Sequence, residues 1–395
     1  MTNRRAFLKS TGVAMFGIGA APGWLARAAG GTSRNKVLVA VFQRGAADGL
    51  NIVVPYGEAR YVELRPTIAV PRAEVLDLDG FFGLHPQLQP LLGLYKEKQL
   101  AIVHASGSPD PTRSHFDAQD YMESGTPGRK STADGWLNRA LARRRDASPV
   151  RAVSVTGNVA RTLRGSQPAV AVSNLRDFQV RDQAAATEFM KTYTGAQDAR
   201  LREAGRETFE ALKTIQDVRL KGGDRANGAI YPRSRLGQSL QQVAQLIRAD
   251  VGLEVAFAEM GGWDHHVNEK PQLDNQLREF GQALAAFHRD LGDRMQDVAV
   301  VTMSEFGRTA KENGTGGTDH GHANAMFLMG GAVKGGRVAG VWPGLKAEQL
   351  YEGRDLAVTT DFREVISELV RQHLGLRDTA ALFPGFQPQS PPGIF

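Results

Sequence analysis

From Val298 to Met303 the chain reads Val-Ala-Val-Val-Thr-Met, without a charge, and it turns polar at once in Ser304-Glu305-Phe306-Gly307-Arg308-Thr309. A strand buried on both faces of a parallel sheet reads this way, as a continuous apolar run rather than an alternating one. The same shape recurs at Lys36–Phe42, Leu100–Val103, Val150–Val155, Leu253–Phe257 and Ala325–Met329. Between these runs lie segments of helical period. His85–Glu97 carries Leu88, Leu91, Leu92 and Tyr95 on one face, and a second stretch carries Leu236, Leu240, Val243 and Ile247. A longer apolar stripe runs through Leu273, Leu277, Phe280, Leu284, Phe287 and Leu291, and a last helix over 361–374 has Asp361 as its expected cap. Strands alternating with helices predict an open α/β sheet, in which chemistry gathers beyond the carboxyl ends of the strands. Ala184–Arg219 is charged and helical in period, and Gly222–Pro232 breaks it. A surface helical insertion near 184–233 is expected there.

The first thirty residues stand apart. Asn3-Arg4-Arg5-Ala6-Phe7-Leu8-Lys9 precedes a moderately apolar run, Thr11–Leu25, and Ala26-Arg27-Ala28 offers a small-x-small cleavage site. This resembles a twin-arginine export signal, so residues 1–29 are expected to be a leader, the translocase a transient partner, and the destination periplasmic or exported. The apolar run is too short and too rich in Gly and Pro for a membrane span, and no stable span is expected in the mature form. Residues 30–395 are then expected to form one domain. Of the formal net charge of +6, four positive charges belong to the leader, which leaves +2. With no basic stripe interleaved with aromatics, nucleic acid is not an expected partner. There is no cysteine, which excludes disulfides, thiolate metal sites and a cysteine nucleophile.

The polar ends of the apolar runs carry the chemistry. Asp48 follows the first strand in Gly45-Ala46-Ala47-Asp48-Gly49, as a ligand or as an ordinary Asp-Gly turn. Ser114 follows Pro109-Asp110-Pro111-Thr112-Arg113. It reads as a helix cap with Asp117 in the capping-box position, as a nucleophile, or as a ligand. Gly261-Gly262-Trp263 leads to Asp264 and His266, two apart and able to converge on one ion, with His265 pointing the other way. Glu305 and Arg308 end the run that opens this section, and Asp319, His320 and His322 close the glycine-rich loop after it. Mixed carboxylate and imidazole ligands suit Zn²⁺ or Mn²⁺, and a richer oxygen set suits Ca²⁺ or Mg²⁺. Two ions about 4 Å apart would clamp the attacking and leaving oxygens of a phosphoryl or sulfuryl transfer. Arg308, Arg44 or Arg113 would hold the remaining anionic oxygens. No G-x-G-x-x-G follows a strand, and no G-x-S-x-G elbow is present.

Ser114-His115-Phe116, Gly261-Gly262-Trp263-Asp264-x-His266, Ser304–Thr309 and Asp319-His320-Gly321-His322, together with the leader, resemble the bacterial domain-of-unknown-function family 1501 over nearly the whole mature chain. That family is similar to the alkaline phosphatase and sulfatase superfamily. The resemblance implies a doubly wound, mostly parallel sheet with helices on both faces. It also implies a metal-dependent hydrolase of anionic phosphate or sulfate esters, using one or two divalent ions (zinc, manganese or calcium). By it, Asp48, Asp264, His266, Glu305 and His320 are ligands supported by Asp319 or His322, Ser114 is the nucleophile or anion-site residue with Thr112 or Ser108 as alternatives, and Arg308 is the anion clamp. Two positions depart from the superfamily pattern. Pro109 stands where sulfatases carry their modified residue, and Phe306 where many members have a histidine. The alternative is a non-catalytic envelope or periplasmic binding protein that keeps the fold.

Overall fold

The computed structural model describes residues 35–141, 147–175, 191–193, 195, 197–221, 223 and 225–395, so the expected leader lies outside the described residues. Twelve strands are described: β1 (Val37–Gln43), β2 (Val53–Val54), β3 (Leu76–Asp77), β4 (Gly83–Leu84), β5 (Leu100–Gly107), β6 (Ala152–Ser154), β7 (Val170–Ala171), β8 (Val255–Met260), β9 (Val298–Ser304), β10 (Asn324–Gly330), β11 (Arg337–Ala339) and β12 (Thr360–Asp361). The main sheet has the order β11-β5-β10-β9-β1-β8-β6-β7, with β12 also on β5, and β2-β4-β3 form a small second sheet. In the main sheet β10 runs antiparallel to its neighbours β5 and β9, and the other strand pairs are parallel. The chain is therefore a mixed, mostly parallel α/β fold, and the carboxyl ends of β1, β5, β8 and β9 share one rim with the amino end of β10.

The continuous apolar runs are explained by two cores. Along β1, Val37, Val39 and Val41 enter one buried cluster, while Leu38, Ala40 and Phe42 enter the other on the opposite face. The first cluster takes its cover from the helices Gln89–Lys96, Arg235–Arg248 and Glu269–Leu291. The stripe from Leu273 to Leu291 lies wholly within it, each of its six side chains at most 3% exposed. At about 1.5–3 kcal/mol per buried large apolar side chain, that stripe holds the helix to the sheet. The second face is covered by Trp136, Leu137 and the helix Phe362–His373, whose N-cap Asp361 accepts a hydrogen bond from Arg363 N. Within the expected helical insertion, the described residues include the helix Ala199–Lys221.

Two short pieces differ from their sequence reading. The helix expected from His85 begins instead with a 3-10 turn, Pro86–Leu88, because the proline ring suits the first turn of a helix. Ser114 occupies the N-cap position of the helix His115–Ser124, but its side chain makes no cap hydrogen bond. The capping-box partner Asp117 pairs with Lys130 instead, which leaves the Ser114 hydroxyl without a capping duty.

Candidate metal centre

Four side chains from three segments meet beyond the shared rim. His115 comes from the helix after β5, Asp264 and His266 from the turn after β8, and His320 from the loop between β9 and β10. Nε2 of His320 lies 3.0 Å from Nε2 of His115 and 3.0 Å from Nε2 of His266. The Asp264 carboxylate stands 3.0 Å from His266, 3.2 Å from His320 and 3.4 Å from His115, each measured to Nε2. Close backbone approach makes this possible. Gly45 has φ +115°, and a Cβ there would fall 2.8 Å from Asp264 N, while a Cβ on Gly321 would fall 2.3 Å from the Arg308 backbone.

The opposite nitrogen of each ring decides what the cluster presents. His115 Nδ1 lies 2.8 Å from Glu305 Oε1, His266 Nδ1 lies 3.1 Å from Asp319 Oδ1, and His320 Nδ1 lies 2.9 Å from the Arg113 carbonyl. Each of these partners only accepts, so in the neutral rings the proton sits on Nδ1 and Nε2 carries a lone pair. Three lone pairs and a carboxylate then face one another with no hydrogen between them. Such a set repels itself unless a cation or an added proton enters, and it is the arrangement in which outer-shell acceptors orient metal-binding histidines. Ligand atoms 2.0–2.1 Å from a tetrahedral ion stand about 3.4 Å apart, close to the separations found here. His115, Asp264 and His320 offer ligand atoms that all lie within 4.8 Å of one another, a spacing that suits a divalent ion, with His266 beside them.

Charges around the cluster are held in place. The hydrogen bond to Glu305, opposed by burial, raises the His115 pKa. Burial works to raise Glu305, yet hydrogen bonds from His115, Gln119 and Gly45 hold its carboxyl below its ordinary value. Asp264 is likewise lowered against the pull of burial, chiefly by Arg308, whose Nη1 donates to Oδ1 at 2.6 Å. Burial lowers His320. The glycine-rich loop wraps His266, whose carbonyl accepts from Asn313 Nδ2 at 2.8 Å and from Thr315 Oγ1 at 2.8 Å. Side-chain exposures of 25% for His115 and His320, 40% for His266 and 42% for Asp264 leave the cluster open to solvent.

Of the residues expected to be ligands, Asp264, His266 and His320 come together, with Asp319 and Glu305 behind them as orienting acceptors. Asp48 is elsewhere: it is buried and held by both terminal nitrogens of Arg65. His322 donates through Nε2 to the Ser108 carbonyl at 3.0 Å and packs on Tyr351, away from the three rings. Arg308, expected as the anion clamp, has no exposed side-chain surface and is bound to Asp264 and Thr318. Phe306 lies beneath the cluster, its ring centroid 5.0 Å from His115 and 5.1 Å from His320. His265 turns inward and is buried, as alternation requires. The residue the sequence reading passed over is His115. Its signal was available: an imidazole just past a proline-fixed strand end, on the rim that carries the other residues of the cluster.

Residues 81–382 match the family described as Protein of unknown function (DUF1501). The chain belongs to the DUF1501 family. All four residues of the cluster fall within the matched segment of this DUF1501 chain. No curated protein matches it. Among solved structures, it is similar to the C-terminal periplasmic domain of EcEptC from Escherichia coli, in complex with Zn, with 10% identity and a TM-score of 0.37 over 76% of this chain and 73% of that one. Lipoteichoic acid synthase LtaP from Listeria monocytogenes matches with 9% identity and a TM-score of 0.35, over 90% and 74% of the two chains. The alkaline phosphatase from the Antarctic bacterium TAB5 matches with 11% identity and a TM-score of 0.29, over 76% and 93%. At these TM-scores the likeness is distant. Among the described residues no helix is long and apolar enough to cross a membrane.

Proposed function

We propose that this chain is an exported, metal-dependent hydrolase of phosphate or sulfate esters, built on a single divalent ion held by His115, Asp264, His266 and His320. The observation that carries the reading is the convergence of three Nε2 lone pairs and one carboxylate, each ring fixed by an acceptor at Nδ1. Three nitrogens in four donors suit Zn²⁺ or Mn²⁺ better than Ca²⁺, which takes six to eight oxygens. The ion would supply Lewis-acid polarisation of an ester oxygen. The chain's own residues supply the rest. Glu305 and Asp319 keep His115 and His266 in the ligating tautomer, and Arg308 holds Asp264. Ser114, between the residue whose carbonyl fixes His320 and the ligand His115, is the proposed nucleophile, since its hydroxyl is not spent on the helix end. Solvent exposure of the cluster gives an anionic ester a way in, whereas a closed structural site would be buried. Export by the twin-arginine route rests on Arg4, Arg5 and the apolar run after them.

One observation favours a second reading, an envelope protein that binds an ion without turnover: Arg308, the arginine that binds the Asp264 carboxylate, is wholly committed to internal partners. Elemental analysis of the purified protein, with turnover of aryl phosphate and aryl sulfate in added Zn²⁺ or Mn²⁺, separates the two. One ion per chain and turnover that a Ser114→Ala variant loses is the expected result. Bound ion without turnover supports the second reading, and absence of any bound ion overturns both.

A further inference from the structure

A chain of buried hydrogen bonds leads from Asp264 into the interior. Arg308 Nη1 donates to Asp264 Oδ1 at 2.6 Å, and Arg308 Nε donates to Thr318 Oγ1 at 3.0 Å. Thr318 Oγ1 donates in turn to Glu269 Oε2 at 2.6 Å. Glu269 is the first residue of the helix Glu269–Leu291; it also accepts from Asn51 Nδ2 at 3.3 Å and hydrogen-bonds Asp48, which Arg65 clamps. Arg308, Thr318, Glu269, Asp48 and Arg65 are each at most 2% exposed.

Charge neutrality fixes the state of this network. Two guanidinium groups, Arg65 and Arg308, balance two carboxylates, Asp48 and Asp264. A third charge on Glu269 would stand uncompensated in the interior, at a cost of several kcal/mol. Burial, and next the neighbouring Asp48 charge, raise the Glu269 pKa well above the ordinary carboxyl value, while its oxygens accept from Thr318 and Asn51. The Thr318 hydroxyl is thereby turned so that its lone pairs face Arg308 Nε, and the Thr318 carbonyl takes the Nη2 side of the same guanidinium. Arg308 is left with one orientation, which aims Nη1 at Asp264. Asp264 needs this, since a half-exposed carboxylate rotates freely about its last bond.

We infer that Thr318 and Glu269 are positioning residues for the ion-binding carboxylate of Asp264, acting through Arg308. The inference rests on the metal reading above and concerns residues that touch neither ion nor substrate. Its test is a double-mutant cycle read as Zn²⁺ affinity by competition with a chromophoric chelator. Thr318→Val and Glu269→Leu should each weaken Zn²⁺ binding about tenfold, the size usual for outer-shell partners. The double variant should bind no more weakly than the worse single one, because both changes break the same link. Thr318→Ser and Glu269→Gln, which keep the hydroxyl and the donor–acceptor pattern, should bind as wild type does. Wild-type affinity in Thr318→Val overturns the positioning role, and so do additive losses, which mean separate structural damage. A wild-type protein that takes up no Zn²⁺ overturns the metal reading itself. Thr318→Val and Thr318→Ser keep the test decisive if the leucine variant fails to fold.

Discussion

Glu305 accepts the Nδ1 proton of His115 across 2.8 Å and thereby turns the Nε2 lone pair of that ring toward His320, 3.0 Å away. Glu305 is nearly inaccessible and also receives Gly45 N at 2.8 Å and Gln119 Nε2 at 2.9 Å. The carboxylate at the end of β9 thus acts on the cluster from behind. It fixes the tautomer of a histidine carried on the helix after β5, two strands away in the sheet.

Replacing Glu305 with Gln keeps an acceptor but removes the charge and adds a donor that competes for the same ring. Zn²⁺ affinity should fall by about 10–100-fold, the usual cost of losing an outer-shell partner. Glu305→Ala should lose as much affinity. It should also lose about 1–3 kcal/mol of folding stability for each buried donor left unpaired. Chelator competition gives the first quantity and urea unfolding the second.

Asp48 and Arg65 form a fully buried ion pair, 2% and 0% exposed at the side chain. Breaking such a pair from one side strands the other charge. Arg65→Met should therefore cost about 3–5 kcal/mol, while Arg65→Met combined with Asp48→Leu should recover much of it. The cycle is read from urea midpoints at pH 7.

Much of the fold was legible because the central strands are buried on both faces, which leaves β1, β9 and β10 almost wholly apolar, with Thr302 and the rim positions Gln43, Ser304 and Asn324 as their polar residues. The edge strands β11 and β12 were not legible: three and two residues long, half-exposed in places, they carry no run. Asp264, His266 and His320 were legible because strand ends point side chains at one rim. The roles of Asp48 and Arg308 were not, since both end apolar runs as a ligand or a clamp would. What separates them is burial beside Arg65 and Thr318, partners that no local pattern reveals. Glu269 reads as an ordinary acid in the first turn of a helix, and only the packing around it makes it a buried carboxyl with a raised pKa.

Acid should destabilise the chain independently of any ion. His104 is buried, donates through Nε2 to the Val53 carbonyl at 2.9 Å and accepts Ala105 N on Nδ1 at 2.8 Å. Both nitrogens are engaged in the neutral form, and burial pushes the pKa from 6.5 down to about 4. Between those values the unfolded chain takes up a proton that the folded chain refuses. The stabilisation is complete above pH 6.5 and is lost as pH falls toward 4, on the order of 3 kcal/mol for this one group. Urea midpoints of wild type and His104→Gln, compared at pH 7 and pH 4.5, should converge as the pH drops.

An ion that binds the folded cluster and not the unfolded chain must raise stability by mass action. At a free concentration one hundred times Kd the gain is about 2.7 kcal/mol, and EDTA should remove it. The rise should be seen with Zn²⁺ or Mn²⁺ and not with Ca²⁺, since three of the four donors are imidazole nitrogens. His320 is central, because its Nε2 touches both other rings and Asp264. His320→Ala should abolish the ion-dependent shift in Tm. Phe306 beneath the rings should make no such difference when changed to Leu, since it contributes packing and no donor atom. An equal Zn²⁺-induced shift in wild type and His320→Ala would place the ion somewhere other than this cluster.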